Sequence, residues 1–360
     1  MAYRASTPLP RLRSARTRLA LLLALALTLA ACGGDDGGGS GSGGGGGATT
    51  LRLGYFPNLT HATALAGIEQ GTFARALGDG VKLQPQAFNA GPAATEALFS
   101  GAIDATYIGP NPAINAFVKS KGEAIRIISG ATSGGAFLVV KPGITDVQGL
   151  RGKKLASPQL GNTQDVALRS WLAKAGLQTT TEGGGDVSIV PQENSQTLET
   201  FQAGDIDGAW VPEPWATRLE QEGGGKVLVD EATLWPGGRY VTTHLIERTE
   251  FLEQNPGVVE GLLRGQVEAN KLVNDNPAEA QKLVNAGIEK VTGKGLKPEV
   301  IAAAWKRLEF TDDPIADSLR ASAANAKALG FLESDELDGI YDLDPLNKVL
   351  AEAGEGQVQS

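Results

Sequence analysis

The chain has 360 residues, a formal net charge of −9 and hydrophobic residues at 41% of its positions. Its length exceeds what one ordinary hydrophobic core accommodates, so two lobes are expected. The acidic balance argues against nucleic acid as a partner. One cysteine, Cys32, and two histidines, His61 and His244, are too few for a disulfide framework or a His/Cys metal site.

The first 31 residues have the pattern of a secretory signal peptide. An arginine-rich segment precedes the apolar run LALLLALALTLAAC, which is too short for a comfortable membrane span. Leu29-Ala30-Ala31-Cys32 resembles the bacterial lipobox, in which the cysteine is lipidated and becomes the new N-terminus; plain cleavage that leaves a free thiol is the alternative. Residues 32–48 then form a flexible Gly/Ser tether. The sequence therefore predicts an exported protein, lipid-anchored at Cys32 to the outer face of the cell membrane.

Beyond the tether, short apolar segments alternate with helical patterns, which is typical of an α/β fold with parallel sheets. The predicted strands are LRLGY at 51, VKLQPQ at 81, IDATYIG at 103, IRIISGA at 125, AFLVV at 136, KKLAS at 153, VSIVPQ at 187, IDGAWV at 206 and KVLV at 226. From about residue 248 the pattern is almost wholly helical. Pro256, Pro277, Pro298 and Pro314 are placed near helix starts.

An internal repeat relates the two halves of the α/β region. The segment EALFSGAIDATYIGPNPA (96–113) aligns with ETFQAGDIDGAWVPEPWA (199–216). Both contain Gly-x-Ile-Asp, at 101–104 and 204–207, directly before a predicted strand. Chance agreement between two Ala/Gly-rich units is the alternative. The repeat predicts two lobes built on one plan.

The loops that enter helices predict where a ligand binds, because open α/β folds hold ligands outside the carboxyl ends of their strands. Nearly all of these loops carry Asn, Ser, Thr or Gly, and none contains Lys or Arg. In GNTQ (161–164), Asn162 or Thr163 is expected to cap a helix whose first N–H groups point into the cleft. Such neutral donors suit a weakly basic oxyanion, whereas a plain helix cap without a ligand is the alternative.

Several segments together resemble a known family: GYFPNLTHATALAGIEQGTF, YIGPNPAINAF, GNTQDVALRSWL, and EPW followed by KVLVD. They are similar to the substrate-binding proteins of ABC importers in the aliphatic sulfonate, nitrate and taurine group. The resemblance implies a type II periplasmic-binding fold, in which two α/β lobes joined by two crossover strands close on the ligand. It implies a first lobe at 49–135 and 245–355 and a second at 136–244, with crossovers at 136–140 and 239–246.

The same family includes binders of thiamin pyrimidine precursors and an enzyme that makes that pyrimidine. Their Pro-Asn-x-x-His segment is similar to residues 57–61, so His61 has three interpretations: a ligand hydrogen bond, a pyrimidine contact, or a first-turn helix residue. The enzyme branch carries a Cys-rich iron-binding segment, whereas this sequence has no cysteine beyond Cys32. P-loop, HExxH, CxxC and GxSxG motifs are also missing. No catalytic residue, cofactor or metal is therefore predicted.

The segment after the last strand of the second lobe carries Trp210, Glu213 and Trp215. A tryptophan could cover the organic tail of a sulfonate, or could simply pack between the lobes. Glu213 could accept a hydrogen bond from an amine such as that of taurine, or pair with the opposite lobe. The lack of arginine in the loops argues against amino acids, whose carboxylate that residue usually clamps.

The sequence thus predicts a monomeric solute-binding protein, not an enzyme, that delivers a small organic anion to an ABC permease. The anion is an aliphatic sulfonate or taurine-like, with nitrate also considered. A pyrimidine precursor binder or a pyrimidine enzyme is the alternative. Thirteen residues are predicted to bind the ligand: Asn58, Thr60, His61, Asn89, Gly91, Gly109, Asn111, Ser133, Gly161, Asn162, Thr163, Trp210 and Glu213.

Overall fold

The structure is a computed structural model, and it describes residues 49–360. The predicted signal peptide, Cys32 and the tether lie outside the described residues. Within 49–360, no helix is both long enough and apolar enough to cross a membrane.

Eleven strands of the described chain form two sheets. They are β1 (Thr49–Tyr55), β2 (Val81–Ala87), β3 (Ala105–Ile108), β4 (Ile125–Gly134), β5 (Ala136–Val140), β6 (Lys154–Ser157), β7 (Ser188–Pro191), β8 (Gly208–Pro212), β9 (Lys226–Asp230), β10 (Val241–Arg248) and β11 (Leu308–Phe310). The six-stranded sheet has the order β11-β4-β10-β3-β1-β2, and the five-stranded sheet has the order β7-β6-β8-β5-β9. We call the parts built on these sheets the first and second lobe.

Thirteen α-helices of the described chain cover the sheets. They are α1 (Ala62–Glu69), α2 (Thr72–Leu77), α3 (Gly91–Phe99), α4 (Pro110–Lys119), α5 (Thr163–Lys174), α6 (Asn194–Ala203), α7 (Trp215–Gln221), α8 (Thr249–Gln254), α9 (Pro256–Asp275), α10 (Pro277–Thr292), α11 (Pro298–Trp305), α12 (Ala316–Ala328) and α13 (Asp344–Ala353). All four prolines predicted near helix starts are there, and α9, α10 and α11 each begin at one of them. Pro314 lies two residues before α12.

The two sheets share one plan, as the internal repeat predicts. In the six-stranded sheet, the strand that follows Gly-x-Ile-Asp is β3, which is parallel to β1 and antiparallel to β10. In the five-stranded sheet, the corresponding strand is β8, which is parallel to β6 and antiparallel to β5. Asp104 Oδ2 accepts a hydrogen bond from the backbone N–H of Arg52 at 2.9 Å, and Asp207 Oδ2 accepts one from Lys154 at the same distance. Since these aspartates stand at the amino ends of β3 and β8, the repeat serves the fold rather than the ligand.

The central strands have buried residues on both faces, whereas the edge strand β2 is mostly exposed. In the second lobe, Leu138 packs with Trp210 on one face of the sheet, while Phe137 and Val139 pack with Val211 on the other. In the first lobe, residues of β1 share a core with α1, α2, α9, α10 and α13. The C-terminal helices therefore belong to the packing of the first lobe.

The chain passes between the sheets after β4, at Gly134–Gly135, and again between β9 and β10. All nine predicted strands are present, and β5 lies wholly in the five-stranded sheet. The proposed boundary at 244/245 falls inside β10, which pairs only with strands of the six-stranded sheet among the described residues. The tail is not entirely helical, because β11 within it adds an edge strand to β4.

Candidate functional site

The GNTQ turn leads directly into α5. Asn162 is the N-cap, and its side-chain oxygen accepts a hydrogen bond from the Thr163 N–H at 2.9 Å. Asp165, which is fully buried, holds the turn by accepting bonds from the Ser157 hydroxyl at 2.6 Å and the Gly161 N–H at 2.9 Å. The charge of Asp165 is met by Arg169 at 3.1 Å. The start of α5 is therefore fixed before any ligand arrives.

A small cavity of about 20 Å³ lies between the lobes where several helices begin. A cavity of this size has no room for a bulky organic group. We call it the inner cavity. It is lined by Phe56, Asn58, Thr60, His61, Asn89, Gly109, Asn162, Thr163, Gln164, Asn194, Pro212 and Thr242.

His61 gives the inner cavity a neutral ring donor. Its side chain is buried, and burial lowers its pKa to about 3 because the imidazolium would lose its hydration. Nδ1 accepts a hydrogen bond from the Phe56 N–H at 3.3 Å, and the Phe56 ring packs on the imidazole at 4.4 Å. A neutral histidine that accepts at Nδ1 carries its proton on Nε2. His61 is therefore a fixed, uncharged donor.

Two buried polar groups at the inner cavity have no hydrogen-bond partner within residues 49–360. These are the Thr163 hydroxyl and the Asn194 side-chain oxygen, on residues that are 6% and 5% exposed. Thr163 and Asn194 are the first residues of α5 and α6, whose first-turn N–H groups have no acceptor within the helix. An unpaired buried polar group costs about 1–3 kcal/mol, so a ligand oxygen that accepts from the Thr163 hydroxyl is favoured, whereas Asn194 Oδ1 can only accept and would need a donor.

The inner cavity is closed by contacts between the two lobes. The Trp215 indole donates to Asn58 Oδ1 at 2.8 Å, and Asn89 Nδ2 donates to Glu193 Oε1 at 2.9 Å. The approach of the lobes is close at Gly109, since a Cβ placed there would lie 2.3 Å from Thr163 Oγ1. The lobes thus meet through side chains at the same helix starts that line the inner cavity.

Of the thirteen residues predicted from the sequence, seven line the inner cavity: Asn58, Thr60, His61, Asn89, Gly109, Asn162 and Thr163. Four others stand beside it in structural roles. Gly91 is the first residue of α3 and lies close to Pro112, and Gly161 adopts a left-handed φ of 74°. The Asn111 side chain donates to the Ser322 carbonyl of α12 at 3.4 Å. The Ser133 hydroxyl oxygen accepts a hydrogen bond from the Tyr240 N–H at 3.4 Å.

Trp210 and Glu213 do not line the inner cavity. The Trp210 indole is in the core of the second lobe and donates to Glu231 Oε2 at 2.7 Å. The Glu213 carboxylate is fully buried, accepts from the Thr217 N–H and hydroxyl, and pairs with Arg307 of the first lobe at 3.0 Å. Of the two roles considered for Glu213, the structure favours the pairing between lobes over an amine contact.

Five residues that line the inner cavity were not among the thirteen: Phe56, Gln164, Asn194, Pro212 and Thr242. Asn194 could have been found from the repeat, because it opens α6 as Gly91 opens the corresponding α3. Thr242 follows the second passage between the sheets, and only the fold brings it to the site. Among the described residues that line the inner cavity, none carries a formal charge at neutral pH.

Known proteins with similar sequences include binding proteins for taurine and for nitrate or nitrite. A taurine-binding periplasmic protein of Escherichia coli K12 is 28% identical over 209 residues, which cover 57% of this chain and 61% of that protein. The nitrate/nitrite binding protein NrtA of Synechocystis PCC 6803 is 26% identical over 118 residues, which cover 33% of this chain and 25% of that protein. The chain therefore spans about three fifths or less of the length of these two relatives. They confirm the resemblance seen in the sequence motifs.

Solved structures confirm the predicted fold class. The alkanesulfonate-binding protein SsuA of Xanthomonas axonopodis pv. citri bound to MOPS has a TM-score of 0.65 at 20% identity, covering 80% of this chain and 96% of that one. NrtA of Synechocystis PCC 6803 has a TM-score of 0.67 at 17% identity, covering 84% and 89%. A family model described as the NMT1-like family matches residues 44–288. Since that match spans more than half of the sequence, this chain belongs to the NMT1-like family.

Proposed function

We propose that this chain is the extracytoplasmic solute-binding component of an ABC importer, and that it captures a sulfonate-type organic anion between its lobes. The names of its relatives support this class, since they bind taurine and nitrate or nitrite. The observation that carries the proposal is the set of neutral donors around the buried inner cavity.

A sulfonate suits this set of donors because it is a weak base with three acceptor oxygens. The Thr163 hydroxyl, the His61 Nε2–H and those first-turn N–H groups of α5 and α6 that lack a partner can each donate one hydrogen bond. Helix N-termini add a favourable dipole for negative charge. Hydrogen bonds to a charged acceptor are about twice as strong as neutral ones. The ligand charge is therefore met without a lysine or arginine in the inner cavity.

The side chains around the inner cavity support binding rather than catalysis. His61 stays neutral and is held by Phe56, so it is a poor proton shuttle near neutral pH. The buried Glu213 carboxylate, beside the passage between the sheets at Gly135, is engaged by Thr217 and Arg307. We therefore propose that the ligand is released chemically unchanged.

A thermal-melt screen tests this function. At a ligand concentration a hundredfold above the dissociation constant, binding adds about 2.7 kcal/mol of stability, which raises the melting temperature by on the order of 5 °C. We expect this shift with alkanesulfonates, and recovery of the ligand intact after prolonged incubation. A shift with aminopyrimidines alone, or conversion of the ligand, would contradict the proposal.

Lipid anchoring at Cys32 is a separate part of the proposal, resting on the sequence motif. We expect Cys32→Ser to leave export possible but to abolish lipidation, because the thiol is the attachment point and the Gly/Ser tether has no apolar residues to hold a membrane. Fractionation with a carbonate wash measures this. A Cys32→Ser protein that stays with the membrane would rule the anchor out. Partnership with a membrane permease and a monomeric state complete the proposal.

A further inference from the structure

A second, larger cavity adjoins the inner one and shares part of its lining. Its volume is about 430 Å³, and Asn58, Asn89 and Asn194 line both spaces. We call it the outer cavity. Two of these asparagines bond to the opposite lobe, Asn58 to Trp215 and Asn89 to Glu193, so they form the boundary between the two cavities.

The walls of the outer cavity are apolar in part and come from both lobes. Trp215 contributes from the second lobe, while Ile288, Val291 and Leu296 contribute from α10 and the segment after it. The Trp215 ring is fixed, since its indole nitrogen bonds to Asn58 and the Arg218 guanidinium lies 5.0 Å from its centroid. Preorganised apolar walls with a few polar groups are typical of sites for organic ligands of this size.

The charged groups of the outer cavity are Glu193, Arg218, Glu222, Lys294 and Lys297, so cations outnumber carboxylates by one, although Glu193 has no cationic partner within residues 49–360. Glu193 accepts a hydrogen bond from Asn89, and Glu222 pairs with Arg218 at 3.4 Å. Lys294 and Lys297 also line the wall and form no ion pair within residues 49–360. A cationic tail would therefore meet a slightly positive environment.

We propose that the outer cavity binds the organic tail of the ligand and selects anions with a large, uncharged tail. This rests on the proposed function, which places the anionic head in the inner cavity. At about 20 Å³ the inner cavity has no room for a tail, so the tail of a ligand whose head is bound there must extend past the three asparagines. At about 430 Å³ the outer cavity fits a ring or a long alkyl chain far better than the two-carbon tail of taurine.

Titration calorimetry with a series of sulfonates tests this proposal on the full chain. From methanesulfonate to 1-hexanesulfonate we expect the affinity to rise about fourfold for each buried methylene. 1-Propanesulfonate should bind more tightly than taurine, which has the same length but ends in an ammonium. An affinity that does not change with tail length, or taurine binding more tightly, overturns the outer cavity as the tail site. Failure of every sulfonate to bind overturns the proposed function as well.

A filling substitution separates the two cavities. Val291, which is 40% exposed in α10, lines only the outer one, so Val291→Trp should reduce the volume of the outer cavity without disturbing the fold. We expect hexanesulfonate to lose at least about tenfold in affinity while methanesulfonate changes less than twofold. Leu234→Trp, at a 46% exposed position of the second lobe outside both cavities, is the matched control. Equal loss for both ligands in Val291→Trp, or equal loss in the control, contradicts the proposal.

Discussion

Asn162→Asp separates an anion site from a simple helix cap. Asn162 is 6% exposed, lines the inner cavity and caps α5 through its side-chain oxygen. Aspartate caps a helix as well as asparagine does and is favoured by the helix dipole. The ligand-free protein should therefore fold with unchanged or slightly raised stability, while a carboxylate is added beside the bound anion.

The expected loss of affinity follows from Coulomb's law. Two unit charges about 5 Å apart at an effective dielectric constant of about 20 repel by roughly 3 kcal/mol. That corresponds to an affinity roughly a hundredfold lower or more. Asn162→Ser keeps a cap but removes one neutral hydrogen bond, which is worth about 0.5–1.5 kcal/mol, so it should lose no more than about tenfold. The difference between the two variants isolates the effect of charge.

The assay is titration calorimetry with a sulfonate, beside a thermal melt of the ligand-free protein. Asn276→Asp is the control for the added charge, because Asn276 occupies the N-cap position of α10, without a side-chain capping bond, at an exposed position outside the inner cavity. Affinity of Asn162→Asp should recover partly toward about pH 4, where the introduced carboxylate takes up a proton. If Asn162→Asp binds the anion as tightly as the wild type at neutral pH, the turn is only a cap and the reasoning fails.

Three further outcomes are expected. Arg307→Met leaves the buried Glu213 carboxylate without its cation; burial raises the pKa of Glu213, and Arg307 opposes that rise. Unfolding measurements should show a loss of stability of about 2–3 kcal/mol, larger at about pH 8, where Glu213 must stay charged, than at about pH 5. An equal loss at both pH values would contradict this. Because the pKa of His61 is about 3, the affinity should stay within about twofold between pH 5.5 and 8, and an affinity change centred near pH 6.5 would refute a neutral donor. The stability of the fold should decline as pH falls below about 6.5, because there the histidine takes up a proton in the unfolded chain but not in the folded one. Gly109→Ala places a methyl 2.3 Å from Thr163 Oγ1, so calorimetry should report a loss of about tenfold in affinity, and unchanged binding would mean that the lobes do not approach there on closing.

The sequence predicts much of the fold because apolar periodicity and the repeat are both local signals. All nine proposed strands are present, and the two Gly-x-Ile-Asp segments occupy equivalent places in the two sheets. The strand β11 was missed because three residues, LEF, carry no detectable alternation. The chain returns to the six-stranded sheet before β10 rather than inside it, and this depends on sheet pairing, which one sequence does not reveal.

In the candidate site, too, the residues that local sequence signals mark could be predicted, and those that depend on tertiary packing could not. Residues at helix starts, such as Asn58 and Thr163, follow from the rule that ligands bind at the carboxyl ends of strands. Trp210 lies in the middle of β8 rather than at its carboxyl end, so its side chain enters the core of the second lobe. The partner of Glu213 is Arg307, which lies 94 positions away in the chain, and no local pattern links the two.

The location of the ligand's sulfur atom tests the central claim most directly. The chain has one methionine and one cysteine, Met1 and Cys32, and both lie outside residues 49–360. Anomalous scattering from sulfur in a crystal grown with hexanesulfonate would therefore identify the ligand without interference from the described domain. We predict one peak in the inner cavity, within hydrogen-bonding reach of Thr163 through the sulfonate oxygens. A peak elsewhere on the domain, or none at a concentration that saturates binding in solution, would contradict the account.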